Sequence, residues 1–194
     1  MSDPARKKAT YADVLAAPDH MVAEILNGEL VLTPRPAPRH ARSSSRLGMA
    51  LGPFDLDGDG PGGWWILDEP ELHLQEAGSP IVPDLAGWRV ERMPELPEEA
   101  HFELPPDWVC EVLSPSTEAI DRADKMPIYA AAEVNHAWLV DPELETLEIF
   151  RLEGSRWALI ETHRGAKSVR AEPFEAIVIE LGSLWRRRAD DNDG

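Results

Sequence analysis

Six consecutive residues, Trp108-Val109-Cys110-Glu111-Val112-Leu113, constrain the fold of this chain more than any other feature. An apolar run of strand length without alternation is what a central strand buried on both faces requires, and such strands belong to sheets covered by helices. Glu111 interrupts the run. A carboxylate taken out of water is costly unless a cation or hydrogen-bond donors compensate it. Two readings stand: Glu111 reaches a solvated patch or pairs with an arginine, or it belongs to a functional site. Asp84 repeats the anomaly within Ile81-Val82-Pro83-Asp84-Leu85-Ala86-Gly87-Trp88, although a residue after proline can also open a strand in contact with water. Two such acids on neighbouring strands would suit one hard cation. Mg²⁺ takes one or two carboxylates and fills its octahedron with waters and substrate phosphate.

Around this strand the chain reads as an α/β domain. Thr10 and Asp13 open a short helix to about Ala17. Strand-like residues 21–26 and 29–33 flank Asn27-Gly28, a strong hairpin signal. A helix is predicted over 39–51, stopped by Gly52-Pro53. Strands follow near 63–67, 70–75 and 82–88. Residues 91–107 hold four prolines and six carboxylates and read as an acidic surface excursion. After the 108–113 strand come a helix within 118–133 and strands at 135–141, 145–152, 156–162 and 174–181. Helix, three strands, helix, strand gives an αβββαβ core, a mixed sheet flanked by helices, with antiparallel hairpins added at both ends. The expected organisation is an N-terminal arm and short helix over 1–17, one domain over 18–185, and a disordered charged tail over 186–194.

Composition excludes several classes. The 194 residues hold 19 basic and 36 acidic side chains, a net charge of −17. Such a chain does not cling non-specifically to nucleic acid, because that binding comes from Lys and Arg neutralising phosphates. The charge is uneven, however. Residues 30–54 contain no acid and carry Arg35, Arg39, Arg42 and Arg46, and the last three share one helix face at i, i+3 and i+7. No apolar run is long enough to span a bilayer, no secretory signal is evident, and the single Cys110 cannot form an internal disulfide. A cytoplasmic protein is expected. Cys110 itself, beside the charge of Glu111, reads as core. Asp55-Leu56-Asp57-Gly58-Asp59-Gly60 begins like a calcium loop, but position twelve is Ile66 where a bidentate Glu is required. The six histidines lack zinc spacing, and His40 reads as a helix-surface residue. The tryptophans lie in strand patterns and suit core packing. P-loop, dinucleotide and serine-elbow signatures are missing.

Lys125 also has two readings. Four residues after Asp121, it fits a surface helix pair worth about 0.3–0.5 kcal/mol. Pro127, however, is tolerated only in a helix's first turn. That would start the helix near 123–124 and set Lys125 beside free N–H groups that attract anions.

Together, Pro83-Asp84-Leu85-Ala86, then Glu111-Val112-Leu113-Ser114-Pro115-Ser116-Thr117, then Asp121, Lys125 and Tyr129, then Trp138-Leu139-Val140-Asp141-Pro142 resemble the Uma-type family of restriction-endonuclease-like proteins in the PD-(D/E)XK nuclease superfamily. The resemblance extends upstream to Glu24-Ile25-Leu26-Asn27-Gly28-Glu29-Leu30-Val31 and Pro38-Arg39-His40, and covers roughly residues 18–152. It implies a restriction-endonuclease-like fold with Asp84 and Glu111 as metal ligands, helped by the Val112 carbonyl. The superfamily's usual lysine position, two residues after the glutamate, is Leu113 here. The resemblance therefore points to Lys125 on the following helix as the catalytic lysine.

Two functions follow as expectations. The first is an endonuclease that hydrolyses DNA phosphodiesters with Mg²⁺ or Mn²⁺, using Asp84, Glu111 and Lys125, while Arg39, Arg42 and Arg46 contact backbone phosphates. The second is a non-catalytic acidic module that engages a basic protein partner or imitates DNA. Exposed hairpin strands would suit a homodimer.

Overall fold

The computed structural model describes residues 8–55, 60–75 and 79–185. The expected 186–194 tail, and most of the loop weighed against calcium binding, lie outside the described residues. The chain runs through α1 (Tyr11–Leu15), β1 (Met21–Leu26), β2 (Glu29–Pro34), α2 (Pro38–Asp55), β3 (Trp64–Asp68), β4 (Leu85–Arg89) and β5 (Trp108–Val112). A continuous helical stretch follows, made of α3 (Glu118–Ile120), a π-helical turn (Asp121–Lys125) and α4 (Met126–Ala131). Then come β6 (His136–Asp141), β7 (Thr146–Glu153), β8 (Arg156–Arg164), β9 (Ser168–Val169), β10 (Ile179–Glu180) and α5 (Gly182–Trp185).

Six strands form one sheet in the order β3-β4-β5-β6-β7-β8. Only β5 and β6 run parallel, and the helical stretch between them is the crossover that parallel strands need. The αβββαβ core is thus α2, β3–β5, the α3–α4 stretch and β6. Both added hairpins are present, β1–β2 as a separate two-stranded sheet and β7–β8 as an extension of the main one. At the first hairpin Asn27 and Gly28 take φ of 54° and 82°, the left-handed pair that a tight two-residue turn requires.

β5 is covered on both faces, as its sequence demands. Trp108, Cys110 and Val112 point into a cluster with Leu47, Leu51 and Phe54 of α2. Val109 and Leu113 point into a second cluster with Met126 and Tyr129 of α4. By alternation Glu111 shares the second face and lies beneath the crossover helix. Cys110 is core, and burial, with Asp84 and Glu111 nearby, pushes its thiol pKa well up. Trp88, Trp108 and Trp138 are fully buried.

Four elements differ from expectation. Residues 70–75 form no strand, and Leu72 makes only single bridges to Ile81 and Phe102. The strand expected over 174–181 shrinks to Ile179–Glu180, because Pro173 and the turns around Phe174 occupy its first half. α2 runs through Gly52-Pro53 to Asp55, since buried Leu51 and Phe54 hold its last turn against the sheet. The crossover helix begins at Glu118 rather than near 123–124. Pro127 is accommodated because it opens α4 directly after the wider π turn, where its missing N–H is tolerated.

Candidate active site

β4 is antiparallel to β5, and their ladder ends at the pair Leu85 and Cys110. Asp84, one residue before β4, therefore falls beside the end of β5. There its carboxylate replaces a strand carbonyl: the Val112 N–H donates to Asp84 Oδ2 at 2.7 Å. The other oxygen, Oδ1, lies 3.2 Å from His40 Nε2. His40 is accordingly buried, not on the helix surface, because it lies among the α2 residues facing the sheet. Burial opposes its protonation, but the hydrogen bond and charge of Asp84 outweigh that and raise its pKa.

Glu111 is 2% exposed. Its Oε1 accepts a 2.5 Å hydrogen bond from the Tyr129 hydroxyl, and Lys125 Nζ stands 3.4 Å from Oε1 and 3.5 Å from Oε2. Asp121, Lys125 and Tyr129 recur every four residues, so one face of the crossover helix presents all three to the carboxylate. The surface-pair reading of Asp121 and Lys125 fails, since both are buried. So does the reading of Lys125 beside a helix start. Its ammonium is 3.8 Å from Asp121, donates to the Val82 carbonyl at 2.9 Å, and lies 3.0 Å from Glu24 Oε1.

Glu24 completes the group. It sits on β1, is 2% exposed, and accepts the Val82 N–H at 2.8 Å through the same oxygen. Sequence reasoning gave it no role. The signal was there, because Met21-Val22-Ala23-Glu24-Ile25-Leu26 is another apolar strand broken by an acid.

One ammonium thus serves three buried carboxylates, with Asp84 close by. Burial pushes the Glu111 carboxyl well up, against the pull of Lys125 and the Tyr129 hydrogen bond. Burial likewise pushes Asp121 up to about 6, opposed by Lys125 and by a hydrogen bond from Thr117. Burial disfavours the Lys125 charge, but Glu111, Glu24, Asp121 and Asp84 outweigh it and hold its pKa above the ordinary lysine value. The excess negative charge and the all-oxygen donor set are of the kind a hard divalent cation takes, and Asp84 and Glu111 are the side chains that could hold one. Among the described residues no three His, Cys, Asp or Glu side chains form a ready-made cage, so such an ion would keep several waters.

Asp84, Glu111, Lys125, Glu24, His40 and Asp121 all line one cavity of about 790 Å³. Val112, Arg39, Arg42 and Arg46 do not line it. Arg39 and Arg42 are exposed and Arg46 is half-buried on the flank of α2, while Arg35, on the turn before α2, does line the cavity.

A family model, Uma2, described as "Putative restriction endonuclease", matches residues 10–182. The crystal structure of a "putative nuclease belonging to DUF820" from Anabaena variabilis is similar, with a TM-score of 0.66 over 91% of this chain and 97% of that one at 18% identity. No curated protein matches. The structural likeness carries the fold: an α/β, restriction-endonuclease-like core. No helix among the described residues is long and apolar enough to cross a membrane.

Proposed function

The chain belongs to the Uma2 family, described as "Putative restriction endonuclease", and from that premise we propose that it is a Mg²⁺-dependent endonuclease that hydrolyses DNA phosphodiester bonds in the cytoplasm. The observation that carries the reading is the Lys125 ammonium, buried and held within 3.5 Å of Glu111 and Glu24 at the floor of an acidic cavity. A lysine paired only for stability is better left at the surface, where it costs no desolvation.

Asp84 and Glu111, which both line the cavity, would hold the ion. When bound, the ion polarises the phosphoryl oxygens and lowers the pKa of a coordinated water. Lys125, paired with Glu24 and Glu111, would orient an attacking water at the cavity floor. Tyr129 and the Val112 N–H fix the two carboxylates, so neither must reorganise as charge develops. Arg39, Arg42 and Arg46 reach backbone phosphates outside the cavity and supply position rather than turnover.

Cleavage of supercoiled plasmid or of single-stranded circular DNA in Mg²⁺ tests this. Cleavage should vanish in EDTA and fall by about 10²–10³-fold in Glu111→Gln and Asp84→Asn, the range for losing one transition-state electrostatic contact. Wild-type protein that leaves plasmid, linear and single-stranded DNA intact in both Mg²⁺ and Mn²⁺ overturns the proposal.

A further inference from the structure

Building on the nuclease reading, we propose that Arg35 grips the substrate backbone at the cavity and that DNA enters as a single unpaired strand, not as a double helix. The first argument is size. A cavity of about 790 Å³ is small beside a double helix, whose major groove alone is about 12 Å wide. Glu24 and Glu111 at its floor are each 2% exposed, and Lys125 is 5% exposed. A whole duplex cannot bring a phosphate down to them, whereas one extended strand can.

The second argument is charge. Seven carboxylates line the cavity. Double-stranded DNA carries about one charge per 1.7 Å of its axis, so it meets the strongest repulsion at this rim. A single strand brings fewer phosphates and can set one beside the available cation. Three cationic side chains line the cavity: Arg35, His40 and Lys125. Lys125 is committed to Glu24 and Glu111, and His40 to Asp84. Arg35 is the one that makes no ion pair among the described residues. Arg35 is exposed where it lines the cavity, so its guanidinium is free to take an anion that enters there.

The third argument is stiffness. Arg35 lies in Pro34-Arg35-Pro36-Ala37-Pro38. Pro34 is the last residue of β2, paired with Met21, and Pro38 is the first of α2. Proline fixes φ, so the backbone under Arg35 is anchored at both ends and loses little freedom when the side chain engages a ligand. Guanidinium matches phosphate in a two-pronged hydrogen bond. Ser114, Ser116 and Thr117 line the same cavity and add hydroxyls of the kind that contact a backbone without reading bases.

Fluorescence anisotropy tests the proposal, with a dye-labelled oligothymidylate alone or annealed to oligoadenylate, in Ca²⁺, on the full-length protein. The single strand should bind more tightly than the duplex. Arg35→Ala should weaken single-strand binding by about 10-fold to 100-fold, the worth of a charged hydrogen bond, and lower the salt slope by about one unit. Arg35→Lys should keep the slope and recover only part of the affinity. Arg156→Ala, on the exposed start of β8, is the charge-matched control and should bind like wild type. Equal affinity for duplex, an unaffected Arg35→Ala, an equal loss in Arg156→Ala, or no binding of either probe each overturns the inference. The two readings fail separately. A strand bound through Arg35 but left intact in both Mg²⁺ and Mn²⁺ refutes the nuclease, and a duplex cut equally well by Arg35→Ala refutes the single-strand gate.

Discussion

The Tyr129 hydroxyl donates a 2.5 Å hydrogen bond to Glu111 Oε1, joining the crossover helix to the central strand at the point where that strand carries its one charge. Both residues are buried, and burial, joined by the charge of Glu111, raises the Tyr129 pKa well above its ordinary value. The phenol is therefore a fixed donor across the working pH range.

Tyr129→Phe removes that donor and leaves Glu111 to Lys125 alone. A hydrogen bond to a charged group contributes about 1.5–3 kcal/mol, so the urea midpoint should fall by the equivalent of that with an unchanged slope. An unaltered midpoint means that the hydroxyl and carboxylate do not meet in solution.

Lys125→Ala should destabilise strongly. Removing one partner from a buried ion pair costs about 3–5 kcal/mol, because the remaining charge is left uncompensated. A solvent-exposed partner of Asp121 would cost less than about 1 kcal/mol. The sign with pH follows. In the variant Glu111 and Asp121 keep pKa values raised by burial but lose the lysine that opposed the rise, so the folded state binds more protons than the unfolded one. The loss should therefore shrink as pH falls. Urea melts at neutral and mildly acidic pH check both points, and a small, pH-independent loss returns Lys125 to the surface.

How much of this was legible depended on whether a feature is local. Residues 108–113 specify a strand buried on both faces by themselves, and Asn27-Gly28 specify their turn. The acids Asp84 and Glu111 could be picked out because each interrupts an apolar strand. By contrast, Asp121 and Lys125 have the same i, i+4 spacing whether a helix face meets water or core, so spacing could not reveal that they are buried. Glu24 reaches Val82 across 58 residues of chain, a contact set by where the β1–β2 hairpin docks. Leu72 sits in a strand-like segment but finds only single bridges to Ile81 and Phe102, since alternation signals burial and does not guarantee a ladder.

Glu172 gives a pH dependence far from the cavity. Its carboxylate lies 2.8 Å from His136 Nε2 and 3.2 Å from Arg151. Burial, the largest single effect, raises its pKa, but His136 and Arg151 together outweigh it and hold the carboxyl below the ordinary 4.5. A depressed folded pKa means that the unfolded state takes up the proton first. The stabilisation is thus fully present above about 4.5 and is lost as pH falls through the folded value. Glu172→Gln should lower the melting midpoint at neutral pH, and the gap to wild type should close as pH falls below the ordinary carboxylate range. Parallel curves across that range would show that the contact carries no linkage.

Divalent metal should stabilise the wild-type fold through Asp84 and Glu111. A ligand that binds only the native state raises stability by about 2.7 kcal/mol at a hundredfold excess over its Kd. For a chain of this size each kcal/mol moves the midpoint by roughly 2–4 °C, so saturating Mn²⁺ should raise it by several degrees. Glu111→Gln separates the site from general salt effects. Gln keeps an oxygen for the Tyr129 hydroxyl but carries no charge, which relieves the crowding of acids around one lysine and weakens the hold on the ion. The variant should therefore melt at or above wild type without metal and respond little when Mn²⁺ is added, whereas Arg156→Ala should respond like wild type. If Mn²⁺ shifts Glu111→Gln as far as wild type, the ion binds elsewhere. If it shifts neither protein, the acids are balanced within the protein, by Lys125 foremost, and the cavity floor is an ion-pair cluster with no metal.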